Sequence, residues 1–164
     1  MIIDANVFKG YFQATLGENH DLCGCPLALF GFATSTNPIY QDAGGIIESE
    51  WLAVVDPEWF NVWLANQLTS GVVTYIEPKK DLGFEKNLFN LGFPRGRDII
   101  YIRVGMAVTK LFECMCELFT EDLDFYDPTM KKCPSITRQR ILSSSKGPIA
   151  KLLKRNNIQV FCVP

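Results

Sequence analysis

The chain has 164 residues, 48% of them apolar and 21% charged, with a formal net charge of −2. This is the composition of one ordinary globular domain, residues 1–164, with enough chain for a substantial core. No apolar run reaches the roughly 18 residues of a membrane span. The N-terminus also lacks the charged and apolar regions of a signal peptide, so a cytoplasmic protein is expected. There the six cysteines, Cys23, Cys25, Cys114, Cys116, Cys133 and Cys162, are expected to be reduced thiols.

Met1 to Asp4 read as a first buried strand that ends in an acid. Residues 5–16 open a helix, with Asn6 as a candidate cap. Residues 17–45 are loop-like and rich in Gly and Pro, apart from a short strand at Ile39-Tyr40 that leads to Asp42. Ile46, Ile47, Glu50, Val54 and Val55 fall near one face of a helix over 46–55. Pro57 starts a second helix through Leu68. Trp51, Trp59, Phe60 and Trp63 fall at core-like helical spacing, not as a base-stacking platform. Gly71 opens a β-branched strand over 72–76.

Residues 77–97 are polar and loop-rich, with one helical turn or more near 85–91. Asp98 begins a helix carrying Ile99, Ile100, Ile102, Val104, Met106 and Ala107. Residues 113–120 form a strand that delivers Thr120 and Asp122, and residues 126–144 read as irregular. Gly147-Pro148 start a helix that stops at Asn156-Asn157, and Ile158–Val163 is the last strand. Helices alternating with short apolar strands predict an α/β fold with a mainly parallel sheet and helices on both faces, a three-layer α/β/α arrangement.

The small net charge conceals an asymmetry. Residues 1–78 contain nine acids and one base, a balance of −8, while residues 79–164 contain fifteen bases and nine acids, a balance of +6. Such a division suits a phosphate-backbone partner, although a solvated basic surface accounts for it equally well.

Two acids, Asp4 and Asp122, follow closely on apolar strands. Ligands in open α/β sheets bind where the carboxyl ends of strands converge. Carboxylates gathered there repel one another unless a cation neutralises them or some are protonated. A hard metal ion held by oxygen ligands is the economical explanation.

These residues resemble the PIN domain, a fold of metal-dependent nucleases, in ordered landmarks along nearly the whole chain. Asp4-Ala5-Asn6 matches the family's Asp-x-Asn after the first strand. Asp98-Ile99-Ile100-Tyr101-Ile102-Arg103-Val104-Gly105-Met106-Ala107 is a close variant of its Asp-x-x-apolar-apolar-x-x-Ala helix. Thr120 through Phe125 match its Thr-x-Asp-x-Asp-Phe. Asp42 through Trp51 are similar to a branch with an Asp-x-x-Gly hairpin followed by a Glu-aromatic pair, in which Glu50 is the ligand. Helical spacing also favours Glu50 over its rival Glu48. Asp42 either supports the site or stabilises a turn, the turn being the plainer reading.

The resemblance implies a PIN-like three-layer fold with Asp4, Glu50, Asp98, Asp122 and Asp124 as catalytic acids. The first four are expected to hold Mg²⁺ or Mn²⁺, with Asp124 as a further ligand. Asn6 and Thr120 would orient a carboxylate or water. Divalent ions lower the pKa of bound water and clamp the attacking and leaving oxygens of a phosphodiester. Singly, each acid has a plainer reading, such as a turn cap for Asp122 and Asp124 or first-turn charge for Asp98.

Arg95 and Arg97, just before Asp98, are expected to clamp a substrate phosphate, with Lys146 as a further contact and Lys151 behind it. The expected activity is a metal-dependent endoribonuclease of prokaryotic toxin or RNA-processing type. The resemblance leaves room for an inhibitory protein partner and a homo-oligomer. A catalytically silent PIN-like RNA-binding module and a DNA or flap-type nuclease are the competing readings.

His20-Asp21-Leu22-Cys23-Gly24-Cys25 offers a zinc alternative. Its Cys-x-Cys spacing is tighter than usual for a structural site, and His20 is the sole histidine. A Cys-His nucleophile pair lacks a recognisable orienting group.

Overall fold

The computed structural model describes residues 1–18 and 26–163. Five short strands alternate with helices. Strand β1 is Ile2–Ile3, followed by α1 (Ala5–Thr15) and α2 (Pro26–Gly31). Strand β2 is Ile39–Asp42, followed by α3 (Ile46–Leu52) and α4 (Pro57–Thr69). Strand β3 (Val73–Ile76) leads to α5 (Leu82–Asn90) and α6 (Ile99–Phe112). Strand β4 is Cys116–Phe119, followed by 3₁₀ turns at Leu123–Phe125 and Pro128–Met130. The chain closes with α7 (Ser135–Ser144), α8 (Pro148–Lys154) and β5 (Ile158–Phe161).

Parallel ladders join β1 to β4, β4 to β5, and β2 to β3. Met1 links the two groups of strands. Its ammonium donates to the Pro38 carbonyl at 2.7 Å and its own carbonyl accepts from the Tyr40 amide at 2.8 Å. Bonding to two residues spaced two apart is the pattern of a parallel pair. The strands therefore lie side by side in the order β3-β2-β1-β4-β5. That order reverses between β1 and β4, the kind of position outside whose carboxyl ends ligands bind in open α/β sheets. The α/β class with a parallel sheet is thus observed.

Apolar burial holds the helices to this sheet. Ile2, Ile3, Ile158 and Leu118 are completely buried. Gly105 of α6 lies so close to β1 and β5 that a Cβ there would stand 3.0 Å from Ile158 Cδ1 and 3.4 Å from Ile2 Cδ1. Phe8 of α1 is the hub of an aromatic cluster. It stacks on Trp51 of α3 with ring centroids 4.0 Å apart and meets Trp63 of α4 edge-on at 4.9 Å. Trp51 and Phe60 are buried as expected of core aromatics, and Trp59 is partly buried against them.

Three stretches read as loop from the sequence contain helices. Pro26–Gly31 is a six-residue helix opened by proline, too short to show a periodic stripe. Leu82–Asn90 starts three residues before the turn or more expected near 85–91, because the Asp81 side chain caps it by accepting from the Phe84 amide. Its Glu85 also takes a bidentate pair from Arg103, at 2.8 and 2.9 Å. Ser135–Ser144 buries only Leu142, so no apolar period marks it in the sequence.

Smaller differences concern boundaries. The helix expected over 46–55 stops at Leu52. The strand expected from 113 starts at Cys116, since Glu113 takes the left-handed conformation, φ 52°, that closes α6. Cys114, Cys116 and Cys133 are free thiols, whereas Cys162 is disulfide-bonded, which corrects the all-reduced expectation. The His20–Cys25 zinc alternative lies outside the described residues. No helix among the described residues is long and apolar enough to cross a membrane.

Candidate metal centre

The site is built at the carboxyl ends of β1 and β4. The Asp4 amide donates to the Phe119 carbonyl at 3.0 Å, continuing the β1–β4 ladder one residue past the strand. Asp4 then occupies the N-cap position of α1 with extended backbone, yet its side chain makes no capping bond. Its carboxylate turns instead to Thr120, whose hydroxyl donates to Asp4 Oδ2 at 2.7 Å. The same hydroxyl oxygen accepts from the Asp122 amide at 3.0 Å. One buried threonine thus ties the two strand tips together, and the Tyr126 hydroxyl holds its carbonyl at 2.9 Å.

Asp122 and Asp124 follow in a tight turn. Asp122 Oδ1 accepts from the Asp124 amide at 2.9 Å, so the capping role expected of it as the plainer reading is real. That bond also sets the two carboxylates close together. Oxygen atoms of Asp98, Asp122 and Asp124 all lie within 4.8 Å of one another. Asp98 reaches this point from the N-cap of α6 and spends no side-chain bond on capping. Asp124 is 2% exposed, and its Oδ1 has no hydrogen-bond partner among the described residues. Its Oδ2 meets the Lys131 ammonium at 2.5 Å.

Glu50 arrives from α3. The Tyr101 hydroxyl, one turn into α6, donates to Glu50 Oε2 at 2.7 Å. The neighbouring Trp51 indole donates to the Ile3 carbonyl at 3.1 Å, fixing α3 against the residue that precedes Asp4. Glu48 points elsewhere and accepts from the Tyr75 hydroxyl of β3 at 2.5 Å.

Crowding shows in the electrostatics. Burial pushes the Asp4 carboxyl up to about 6, and the charges of Asp122 and Asp98 add to that push. The Thr120 hydroxyl pulls the other way without prevailing. Asp98 is also raised, first by burial and then by Asp122, Glu50 and Asp124, with Lys131 opposing. Tyr101 is driven far up by burial, by Asp4 and by its bond to Glu50, so it stays a hydrogen-bond donor at any ordinary pH. Five carboxylates thus belong to one field, which a divalent cation would relieve. An all-oxygen donor set with one orphaned buried oxygen suits a hard ion such as Mg²⁺ or Mn²⁺.

Of the residues singled out from the sequence, Asp98, Asp122 and Asp124 converge. Asp4 is tied to Asp122 through Thr120, and Glu50 acts on Asp98 through its charge, but neither belongs to the group of oxygens within 4.8 Å. Asp42 does not join them. Its carboxylate is used up by the amides of Ile46 and Ile47 at 2.9 and 2.7 Å, which makes it the turn and helix stabiliser. Asn6 is exposed within α1 and does not hold the N-cap position, which belongs to Asp4. Arg95 stacks its guanidinium 4.7 Å over the Phe89 ring. Arg97 and Lys146 are exposed.

Sequence reasoning misses two participants. Tyr101 sits inside the α6 motif, where it reads as one more residue of the apolar face. Lys131 lies in a stretch that reads as irregular, where nothing in spacing points a lysine back to Asp124. No protein-family model, no curated protein and no solved structure matches the chain.

Proposed function

We propose that this chain is a PIN-like, divalent-metal-dependent endoribonuclease, one three-layer domain over residues 1–164 acting in the cytoplasm. The observation that carries the reading is the approach of Asp98, Asp122 and Asp124 to within 4.8 Å of one another. The Asp4 and Glu50 carboxylates belong to the same electrostatic cluster. Asp4, Glu50, Asp98 and Asp122 would hold Mg²⁺ or Mn²⁺, with Asp124 beside them. The bound ion would supply Lewis acidity to a phosphodiester and a water that ionises near neutral pH.

The chain's own residues do the rest. Thr120 orients Asp4, and Tyr101 orients Glu50. Trp51 keeps α3 pressed to β1 so that Glu50 stays in reach. Arg95, Arg97 and Lys146 offer positive charge to the strand's phosphates, which the acidic site would otherwise repel. A toxin-type or RNA-processing setting with an inhibitory partner or self-association follows from the resemblance.

The test is cleavage of labelled RNA and DNA side by side in Mg²⁺ and in EDTA. Metal-dependent loss of RNA supports the reading. Loss of DNA alone replaces it with a DNA or flap-type nuclease. Binding of RNA without cleavage replaces it with a silent regulatory module.

A further inference from the structure

Lys131 is the one cation seated on the acid cluster among the described residues. Its ammonium meets Asp124 Oδ2, and its field also reaches Asp122 and Asp98. Asp124 is almost completely buried, while the Lys131 side chain is 53% exposed and follows directly on the 3₁₀ turn Pro128–Met130. The lysine therefore extends from the surface onto a carboxylate that has no other cationic partner among the described residues. The other oxygen of that carboxylate has no hydrogen-bond partner there either. A monovalent charge on a flexible stem neutralises only part of such a cluster, and it is free to leave toward solvent.

We infer that Lys131 is a tethered counter-cation that occupies the divalent-ion position of the Asp98-Asp122-Asp124 cluster and competes with metal for it. This inference rests on the metal-nuclease reading and adds to it a built-in autoinhibitory contact. Two cations sharing one carboxylate repel each other, so divalent binding and the Lys131–Asp124 pair are mutually exclusive or strongly opposed. Any polyanion that draws Lys131 outward would favour metal occupancy by the same amount, because coupling between ligands is reciprocal. The residues from Pro128 to Val163 contain eight bases and no acid, so a nucleic-acid strand lying along them would exert that pull.

The experiment is Mn²⁺ titration of the intact protein, without nucleic acid, followed by calorimetry and by the loss of the free-Mn²⁺ paramagnetic signal. Wild type, Lys131→Met and Lys131→Arg are compared. Lys131→Met is expected to bind Mn²⁺ roughly 10-fold more tightly, the size of a typical inter-site coupling. Lys131→Arg, which keeps the charge, is expected to stay near wild type. Tighter binding by Lys131→Met, including binding by that variant alone, supports the inference. If wild type binds Mn²⁺ and Lys131→Met binds equally or more weakly, Lys131 is no competitor, and the metal reading stands without it. If neither protein binds Mn²⁺, the inference and the metal reading fall together.

Discussion

The Thr120 hydroxyl donates to Asp4 Oδ2 at 2.7 Å across a separation of 116 positions. Because Thr120 also receives the Asp122 amide, the two acids that end β1 and follow β4 are held by a single oxygen atom. The bond is buried and short, but it does not cancel the cost of burying the Asp4 charge, and the carboxyl remains raised to about 6.

That imbalance predicts a pH dependence with a definite sign. The folded Asp4 binds its proton more tightly than the unfolded chain does. Asp4 therefore contributes a destabilisation that is absent below about pH 4, grows as pH rises through the window between 4 and 6, and is complete above it. A shift from 3.8 to about 6 corresponds to about 3 kcal/mol at most. Asp4→Asn should remove it. In EDTA the variant is expected to be more stable than wild type at pH 7.5, by up to about 3 kcal/mol, with the gap closing near pH 4. Urea denaturation across that range checks it. A gap that is constant with pH would mean that Asp4 is not the group that titrates.

Glu50 and Glu48 should separate cleanly. Glu50 shares the field of Asp98 and takes the Tyr101 hydroxyl, whereas Glu48 is bonded to Tyr75. Glu50→Gln is expected to lower RNA cleavage in saturating Mg²⁺ by roughly 100-fold or more, since each tenfold costs about 1.4 kcal/mol of transition-state stabilisation. Glu48→Gln should stay within about threefold, a difference worth under about 1 kcal/mol. An inactive Glu48→Gln with an active Glu50→Gln would show that the other face of α3 serves the site.

Trp51 links stability to the site. Trp51→Phe keeps an aromatic ring against Phe8 but withdraws the donor to the Ile3 carbonyl and leaves space in the cluster. A loss of about 2–4 kcal/mol in denaturant unfolding is expected from the missing bond and the cavity. Cleavage should fall as well, under conditions where the variant remains folded, because Glu50 adjoins Trp51. Normal activity in a destabilised Trp51→Phe protein would confine this residue to packing.

The loop before Asp98 bears on substrate capture. Arg95→Ala combined with Arg97→Ala is expected to weaken RNA binding, measured with Ca²⁺ in place of Mg²⁺. Its salt slope should fall by roughly one unit for each phosphate that the protein no longer neutralises. Mn²⁺ affinity should be unchanged, because neither arginine touches the carboxylates. Unchanged RNA affinity and slope would move the strand's path to the basic C-terminal residues.

Much of the acid cluster is legible in the sequence because it follows from short-range rules. An acid placed after a buried apolar strand comes to the sheet's carboxyl edge, and that rule brings out Asp4 and Asp122, while Thr120, Asp98 and Asp124 stand out through the motif resemblance. Helical spacing is enough to prefer Glu50 to Glu48, since neighbours on a helix face are set by local geometry. Where local pattern is silent, the sequence is silent too. Helix α7 buries a single leucine and so carries no period, and α2 is too short to show one. Asp42 keeps its plainer role because two backbone amides four and five residues ahead consume its carboxylate.

By itself the sequence determined the five short strands and the helices that carry an apolar stripe, and with them which acids follow strand ends, because apolar burial and turn chemistry act over a few residues. Only the tertiary structure decided what surrounds those acids. The strand order that brings β1 beside β4, the reach of Tyr101 to Glu50 and of Trp51 to Ile3, and the seating of Lys131 on Asp124 all depend on how the crossovers pack. Contacts of that kind are set by the three-dimensional path of the chain, and no spacing along it encodes them.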